Sequence, residues 1–375
     1  MINAGLIDSR RIIAKRVTQL SDIEEMARKL EPQVARAILD ALQQQAESVD
    51  LRELEIALST GQISHALSLL SIDKFDAVMA PAQSALRRGV FAAGASTVAR
   101  ALLPTLRGVA FRFNELNPRL IDWLQRYELN LIREINDKTR EGVRTYLTTG
   151  MTEGKNPRAV AKEVKQIVGL TDRQAIAVKN FRRNLETFHL RRTAQAWGLG
   201  NKIDRAPGGA QVFKPDDDGT PKDAIDERRL RDFRYDKMLQ RAMEQSKPLT
   251  PAQIDKMVDA YSRKYLKHRA ETIARTEALR TTNVGVQDAW RQAIDQGKVA
   301  TDSVRRKWIV AADERLCEFC APIPSMNGKL GVRMDQPFQT PKGPQMLPPL
   351  HPNCRCTVFA RAYEPKQIAA AEAKK

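Results

Sequence analysis

The chain has 375 residues, with 62 Lys and Arg against 45 Asp and Glu, a formal charge of +17 and a pI near 9.9. That length holds two or three domains with cores of their own, and the charge is a field spread along the molecule that attracts polyanions and repels basic surfaces. Aromatic residues make up only 6% of the chain, which favours helices packed through Leu, Ile, Val and Ala over sheet packing.

No run of roughly eighteen uncharged apolar residues is present. The nearest, Gly89–Ala99, is closed off by Arg88 and Arg100 and is too short to span a bilayer, so no stable membrane anchor is expected. Met1-Ile-Asn-Ala-Gly lacks the basic-then-apolar layout of a signal peptide, which predicts cytosolic synthesis.

In chain order, Ser21-Asp22 followed by Glu24 and Glu25 starts a helix with Ile23, Met26, Leu30, Val34, Ile38 and Leu42 at helical spacing. Further helices are predicted over about 51–72 and about 81–103, the second closed by Pro104. Gly89 and Gly94 mark close helix contacts or a break. Asn117-Pro118 is a strong helix start, because Asn accepts from free N–H groups and Pro has none to lose. That helix runs to about Thr148, with Ile121, Leu124, Leu129, Ile132, Ile135 and Val143 facing inward. Asn156-Pro157 and Leu170-Thr171-Asp172 open two shorter helices, and no fixed-period repeat is present.

From Trp197 to about Asp223 the chain turns to Pro, Gly and Asp, a loop or an inserted hairpin. Asp216-Asp217-Asp218 lacks the alternating ligand spacing of an EF-hand and reads as a solvated turn. Helix resumes near Ala224, restarts at Thr250-Pro251 and continues, strongly basic, to about Gln296. Strands are expected at Lys307–Ala311 and Thr357–Ala360, and the last ten residues as a frayed tail. The fold class that follows is mainly α: an extended multi-helix body with a small C-terminal α+β Cys/His module. The segments are 1–115 (helical, role open), 116–196 (helical), 197–223 (loop or insertion), 224–297 (basic and helical), 298–362 (Cys/His module) and 363–375 (tail).

All four cysteines fall in that module. Cys317-Glu-Phe-Cys320 is a C-x2-C pair, followed some distance on by His351-Pro-Asn-Cys354-Arg-Cys356. Thiolate sulfur and imidazole nitrogen suit tetrahedral Zn2+, here as a structural ion, and a Pro- and Gly-rich module with little core gains from such a cross-link. Cys317, Cys320 and Cys354 are the first choice, with His351 or Cys356 completing the set, since the short spacing from Cys354 to Cys356 strains joint ligation. A disulfide arrangement and unligated buried thiols are the alternatives. An HNH-type nuclease needs a His base besides separate metal ligands, and His351 is the sole histidine of the region. A cysteine nucleophile finds no identifiable base.

Glu271 and Arg275, and Glu277 and Arg280, sit at ion-pair spacing on a helix surface. They form either a solvated salt-bridged face or, through Arg275 and Glu277, a buried anchor to the Cys module. The basic runs Arg182-Arg183, Arg191-Arg192, Arg228-Arg229-Leu-Arg231 and Arg263–Arg269, the last including Lys264 and Lys267, can neutralise phosphates without reading sequence.

The Ala-Arg-Thr-Glu helix, Trp308 on a strand, Asp313, the Cys317/Cys320 pair, Gly328 and the run Pro348-Pro-Leu-His-Pro-Asn-Cys-Arg-Cys356 together resemble the phage Mu F-like minor head proteins. The likeness covers roughly 130–360 and is most specific over 270–360; the Pro322-Ile-Pro324-Ser-Met stretch departs from it. It implies a virion protein of low copy number, at the portal vertex or capsid interior, assembled in the host cytoplasm. Its partners would be portal or major capsid protein and, non-specifically, phage genomic DNA. It implies a structural role rather than an enzyme; Trp308, Arg275 and Glu277 would be structural. A virion-carried nuclease or toxin-like transferase, and a zinc-stabilised DNA-binding regulator, are the competing functions, though no helix-turn-helix or finger spacing supports the last.

Overall fold

The computed structural model describes residues 4–69, 75–106, 109–187, 189, 202–205, 211–214, 232–311 and 316–373. The fold is mainly α, with a small three-stranded sheet near the C-terminus.

Helix α1 (Ala4–Glu47) begins well before Ser21 and carries Pro32 inside it. Ile23, Val34, Ile38 and Leu42 are buried as their spacing predicts. The expected 51–72 helix is two, α2 (Leu51–Ser59) and α3 (Ile63–Ser68), because Gly61 takes a φ of +71° that ends the first. Asp50 caps α2 through bonds to Arg52 N and Glu53 N at 2.8 and 3.1 Å. Helix α4 (Phe75–Thr97) passes through a π turn, Val98–Leu102, into α5 (Leu103–Leu106), so Pro104 does not stop it. Leu103 N–H reaches back to Val98 O just before the proline, which has no N–H to place.

Helix α6 (Pro118–Thr152) starts where Asn117-Pro118 predicts, with Asn117 Oδ1 accepting from Arg119 N at 3.1 Å. Helices α7 (Pro157–Ile167) and α8 (Asp172–Glu186) open on Asn156 and on a Thr171/Gln174 capping box. Strands β1 (Lys202–Arg205) and β2 (Gln211–Lys214) form an antiparallel hairpin inside the expected insertion. Then follow α9 (Asp236–Glu244) and α10 (Pro251–Asp295), the latter opened by Thr250 and Gln253 bonding each other's backbone N–H. Strand β3 (Val304–Ile309) is the centre of a sheet ordered β4-β3-β5, with β4 at Val332–Arg333 and β5 at Thr357–Ala362, both antiparallel to it. Between β3 and β4 lies the short α11 (Ile323–Met326). The expected frayed tail instead forms α12 (Pro365–Glu372), opened by a Glu364/Gln367 capping box.

The chain divides into two compact units. The first comprises Met1–Asp40, Asp76–Ile132 and Ala270–Lys375. Its core joins Val90, Ala93, Leu120, Leu124, Trp290, Trp308, Phe338 and Val358 with the buried cysteines. Gly285 of α10 lets α4 approach so closely that a Cβ there would overlap Val90 O, which is why this crossing needs glycine. Gly89 and Gly94 likewise mark close contacts, with Leu30 and with the Phe113 ring. Leu129, expected inside, is 59% exposed; Glu128 takes the inward position, paired with Arg87 at 2.5 Å. Gln292 clamps the extended segment before α6: its amide accepts from Asn114 N at 2.7 Å and donates to Asn114 O at 2.9 Å. Among the described residues Ala77–Leu106 is long and apolar enough to cross a membrane by composition; Met79, Ala82, Leu86, Val90 and Ala93 of it are buried within the protein.

The second unit comprises Ala41–Phe75 and Arg133–Arg269. Its buried residues include Leu54, Val143, Leu147, Val164, Ile167, Val178 and Val258. A polar network crosses them: Glu163 accepts from Tyr146 Oη at 2.6 Å and pairs with Lys155 at 2.9 Å. Arg182 bridges Glu163 and Asp255 at 3.5 and 2.7 Å. Arg269 is buried, held by the carbonyls of Ile135 and Gly169 and by Thr139 Oγ1; burial lowers its pKa to about 10.

Candidate metal centre

The module is built on α10. Along this helix Thr272, Thr276, Asn283 and Gln287 fall at intervals of four and seven residues, so they share one face. Asn283 Oδ1 accepts from Val358 N of β5 at 2.9 Å. Thr276 Oγ1 accepts from Asn353 N at 3.1 Å. Gln287 Oε1 accepts from Arg306 of β3 at 2.6 Å. Arg306 is fully buried and also donates to the carbonyls of Arg333, Gln336 and Met346. Its ring neighbour is Phe338, 5.0 Å away, and burial lowers its pKa to about 10.

Two turns lean on this platform. Cys317–Cys320 closes with Cys320 N bonded to Cys317 O at 3.1 Å. His351–Cys354 closes the same way, Cys354 N to His351 O at 3.1 Å, and Asn353 takes a φ of +60° in it. Asn tolerates that left-handed conformation better than most residues, which gives the Asn of this motif a backbone role.

The turns bring their donors together as the spacing predicts. His351 Nε2 lies 3.0 Å from Cys317 Sγ and 3.3 Å from Cys320 Sγ, and Cys320 Sγ lies 3.8 Å from Cys354 Sγ. His351 Nδ1 sits 2.8 Å from Pro352 O; donation there leaves Nε2 with its lone pair towards the sulfurs. A tetrahedral zinc with Zn–S of ~2.3 Å and Zn–N of ~2.0 Å sets sulfur–sulfur edges of ~3.8 Å and sulfur–nitrogen edges of ~3.5 Å. Of the six edges such a site has, the Cys320–Cys354 separation matches the first value and the two His351 separations lie slightly inside the second, while Cys354 falls outside the group formed by Cys317, Cys320 and His351. Potential ligand atoms form two triads, Cys317/Cys320/His351 and Cys320/Cys354/Cys356, each within 4.8 Å and sharing Cys320. The donor set fits a thiophilic dication such as Zn2+.

The electrostatics alternate around the cluster. Burial pushes the Cys317 thiol up, but bonds from Cys320 and His351 outweigh it and leave it below its ordinary 9.0. Hydrogen bonding from Cys356 and from backbone N–H groups brings Cys354 down to about 5. Burial and the neighbouring Cys354 raise Cys320 to about 12, and the bond to Cys354 together with burial raises Cys356. Burial lowers the His351 pKa, but the Pro352 carbonyl and the nearby thiols raise it more. A dication among these sulfurs would favour thiolate at each ligand. All four cysteines are free, none in a disulfide.

Residues 237–359 match the family described as Phage Mu protein F like protein. The resemblance drawn from the Cys/His run is borne out over that stretch, which takes in α9, α10, the sheet and both turns. No curated protein and no solved structure matches the chain. Within the Mu F-like segment, Trp308 is buried in the module core, edge-on to Phe338 at 5.4 Å.

Arg275 and Glu277 reach other partners than the Cys module. Arg275 pairs with Glu31 of α1 at 2.9 Å; buried Glu277 accepts from Tyr127 Oη at 2.6 Å and Arg280 Nε at 2.9 Å. The anchoring to the module comes from Thr276, Asn283 and Gln287, whose common face was a readable signal. Of the basic positions, Arg263 and Lys267 are exposed and Lys264 half-buried on α10, beside exposed Lys256 and His268. Arg228, Arg229, Arg231, Arg191, Arg192, Asp313 and the triple Asp lie outside the described residues. Arg182 and Arg269 are buried and bonded within the second unit, so they do not offer themselves to phosphate.

Proposed function

We propose that this chain is a minor head protein of a tailed phage, acting structurally in head morphogenesis beside portal or capsid protein. The observation that carries this reading is the Phage Mu protein F like match, which falls on the segment where the His-Pro-Asn-Cys-Arg-Cys run folds onto α10. In this reading the Cys/His module is a docking element whose shape is fixed by Zn2+ held between its two turns. Cys317, Cys320 and Cys354 supply sulfur and His351 supplies Nε2. The ion replaces the apolar core that a Pro- and Gly-rich segment cannot build. The +17 charge suits a particle interior filled with DNA, and the exposed Arg263 and Lys267 with Lys264 form a phosphate-neutralising face on α10.

Mass spectrometry of purified particles tests the proposal. The chain is expected at low, fixed stoichiometry in heads, together with about one zinc per copy. Its absence from heads and from assembly intermediates would refute the structural role.

A further inference from the structure

Residues 109–114 lead into the turn before α6 with no turn or bend of their own, and their side chains alternate: Phe111 and Phe113 are buried, with Arg112 exposed between them. That is the period of a β-strand, yet they pair with no strand among the described residues. We propose that Phe111–Phe113 is an open strand edge, to which an acidic, extended segment of another protein adds as a second strand. The edge lies outside 237–359, so the proposal stands apart from the family match and from the metal reading.

Backbone bonds hold the ends of this segment and leave its middle open. Val109 N–H donates to Leu106 O at 3.2 Å, and Asn114 gives both its N–H and its C=O to Gln292 at 2.7 and 2.9 Å. Between them, among the described residues, no hydrogen bond reaches the N–H or C=O of Ala110, Phe111, Arg112 or Phe113. Backbone groups along a strand alternate from edge to edge. With those of Asn114 turned to α10, Phe111 and Phe113 present theirs on the opposite edge. Four donors and acceptors in register are what an added strand takes up. The segment also lines a cleft of about 550 Å3, together with the exposed, small Ala95 of α4 and with Val98 of the π turn. Charge selects the occupant. Arg112 makes no ion pair or hydrogen bond among the described residues, so it meets a carboxylate on the outer face of the incoming strand. Glu115 also lines the cleft, but it lies in the turn beyond Asn114, past the paired stretch. A second copy is the wrong occupant, because it brings another Arg112 and another +17 to the same place.

Amide hydrogen exchange of the full chain, with and without synthetic heptapeptides, tests the proposal. A peptide of alternating valine and glutamate is expected to slow exchange at Phe111 and Phe113 about tenfold when present at about ten times its dissociation constant. Ala110 and Arg112 should stay fast, the alternation that pairing along one edge leaves. The same peptide with lysine for glutamate should bind about tenfold more weakly, and Arg112→Glu should reverse that preference. Unchanged protection along α6 shows that this variant, altered at an exposed side chain, is folded. No slowing at Phe111 and Phe113 with about 1 mM of the glutamate peptide would overturn the proposal. Equal slowing at all four amides, or a wild-type preference for the lysine peptide, would overturn it too. Slowing at Phe111 and Phe113 that tracks the concentration of the chain alone would make the occupant a second copy and refute the partner named here.

Discussion

Arg306 donates to Gln287 at 2.6 Å, joining the middle strand of the C-terminal sheet to α10 through two buried side chains. No carboxylate partners this guanidinium among its bonds; carbonyls of Arg333, Gln336 and Met346 share its remaining donors. Arg306→Met removes the donors and leaves those carbonyls buried. At ~1–3 kcal/mol per unsatisfied group, a loss of about 3 kcal/mol or more is expected. Urea unfolding followed by tryptophan fluorescence measures it; a change under 1 kcal/mol would show that the carbonyls find water.

The second unit is expected to weaken in acid through Asp255. Burial raises its pKa, but hydrogen bonds from Lys162 and Arg182 outweigh this and hold it below its ordinary 3.8. The folded carboxyl thus stays charged at a pH where the unfolded one binds a proton. Its stabilisation is complete above 3.8 and is lost as pH falls towards the lower folded value. Urea midpoints at pH 6 and pH 3 should differ more for wild type than for Asp255→Asn, whose side chain does not titrate in that range.

Chelation should act on the module alone. With zinc removed, amide exchange is expected to rise sharply over 316–356, while α7 and α8 keep their protection. Uniform loss of protection along the chain would mean the ion supports far more than two turns.

Gly285→Ala should be costly although alanine favours helix. The added methyl meets the backbone at Val90 O and Gly94 N of α4, which cannot rotate away as a side chain can. A destabilisation of about 3 kcal/mol is expected, at the upper end for overpacking. A thermal midpoint within a degree of wild type would contradict so tight a crossing.

Non-specific DNA binding by the whole chain should weaken steeply with salt. Each phosphate contact contributes a slope of about −0.9 in log affinity against log salt, so Arg263→Glu with Lys267→Glu should lower the slope by about 2. Filter binding between about 50 and 200 mM salt reads this directly, and an unchanged slope would move the DNA face elsewhere.

Local chemistry was legible wherever it is short-ranged. Asn117-Pro118, Asn156-Pro157 and Thr250-Pro251 each announced a helix that starts where they stand, because capping involves neighbours in sequence. The two Cys-bearing turns were legible as partners because few residue types bind thiophilic ions. Tertiary substitutions were not. Leu129 reads as core by hydrophobicity, but Glu128 occupies the inward position once Arg87 neutralises it. Arg306 reads as surface charge because nothing local reveals three carbonyls converging on it. Strand β4, two residues long, carries no periodicity to detect.

The Gln292 clamp carries a consequence for chemical change at a single atom. Its oxygen accepts from Asn114 N, and its two amide hydrogens go to Asn114 O and to Asp288 Oδ2, at 2.7, 2.9 and 2.7 Å. Both amide hydrogens and the oxygen are engaged, so its orientation is fixed and an inverted amide would oppose like with like at every contact. Deamidation to glutamate would swap nitrogen for oxygen and set a negative charge against a carbonyl and a carboxylate. The strap ahead of α6 would come loose while every apolar contact in the core remained in place.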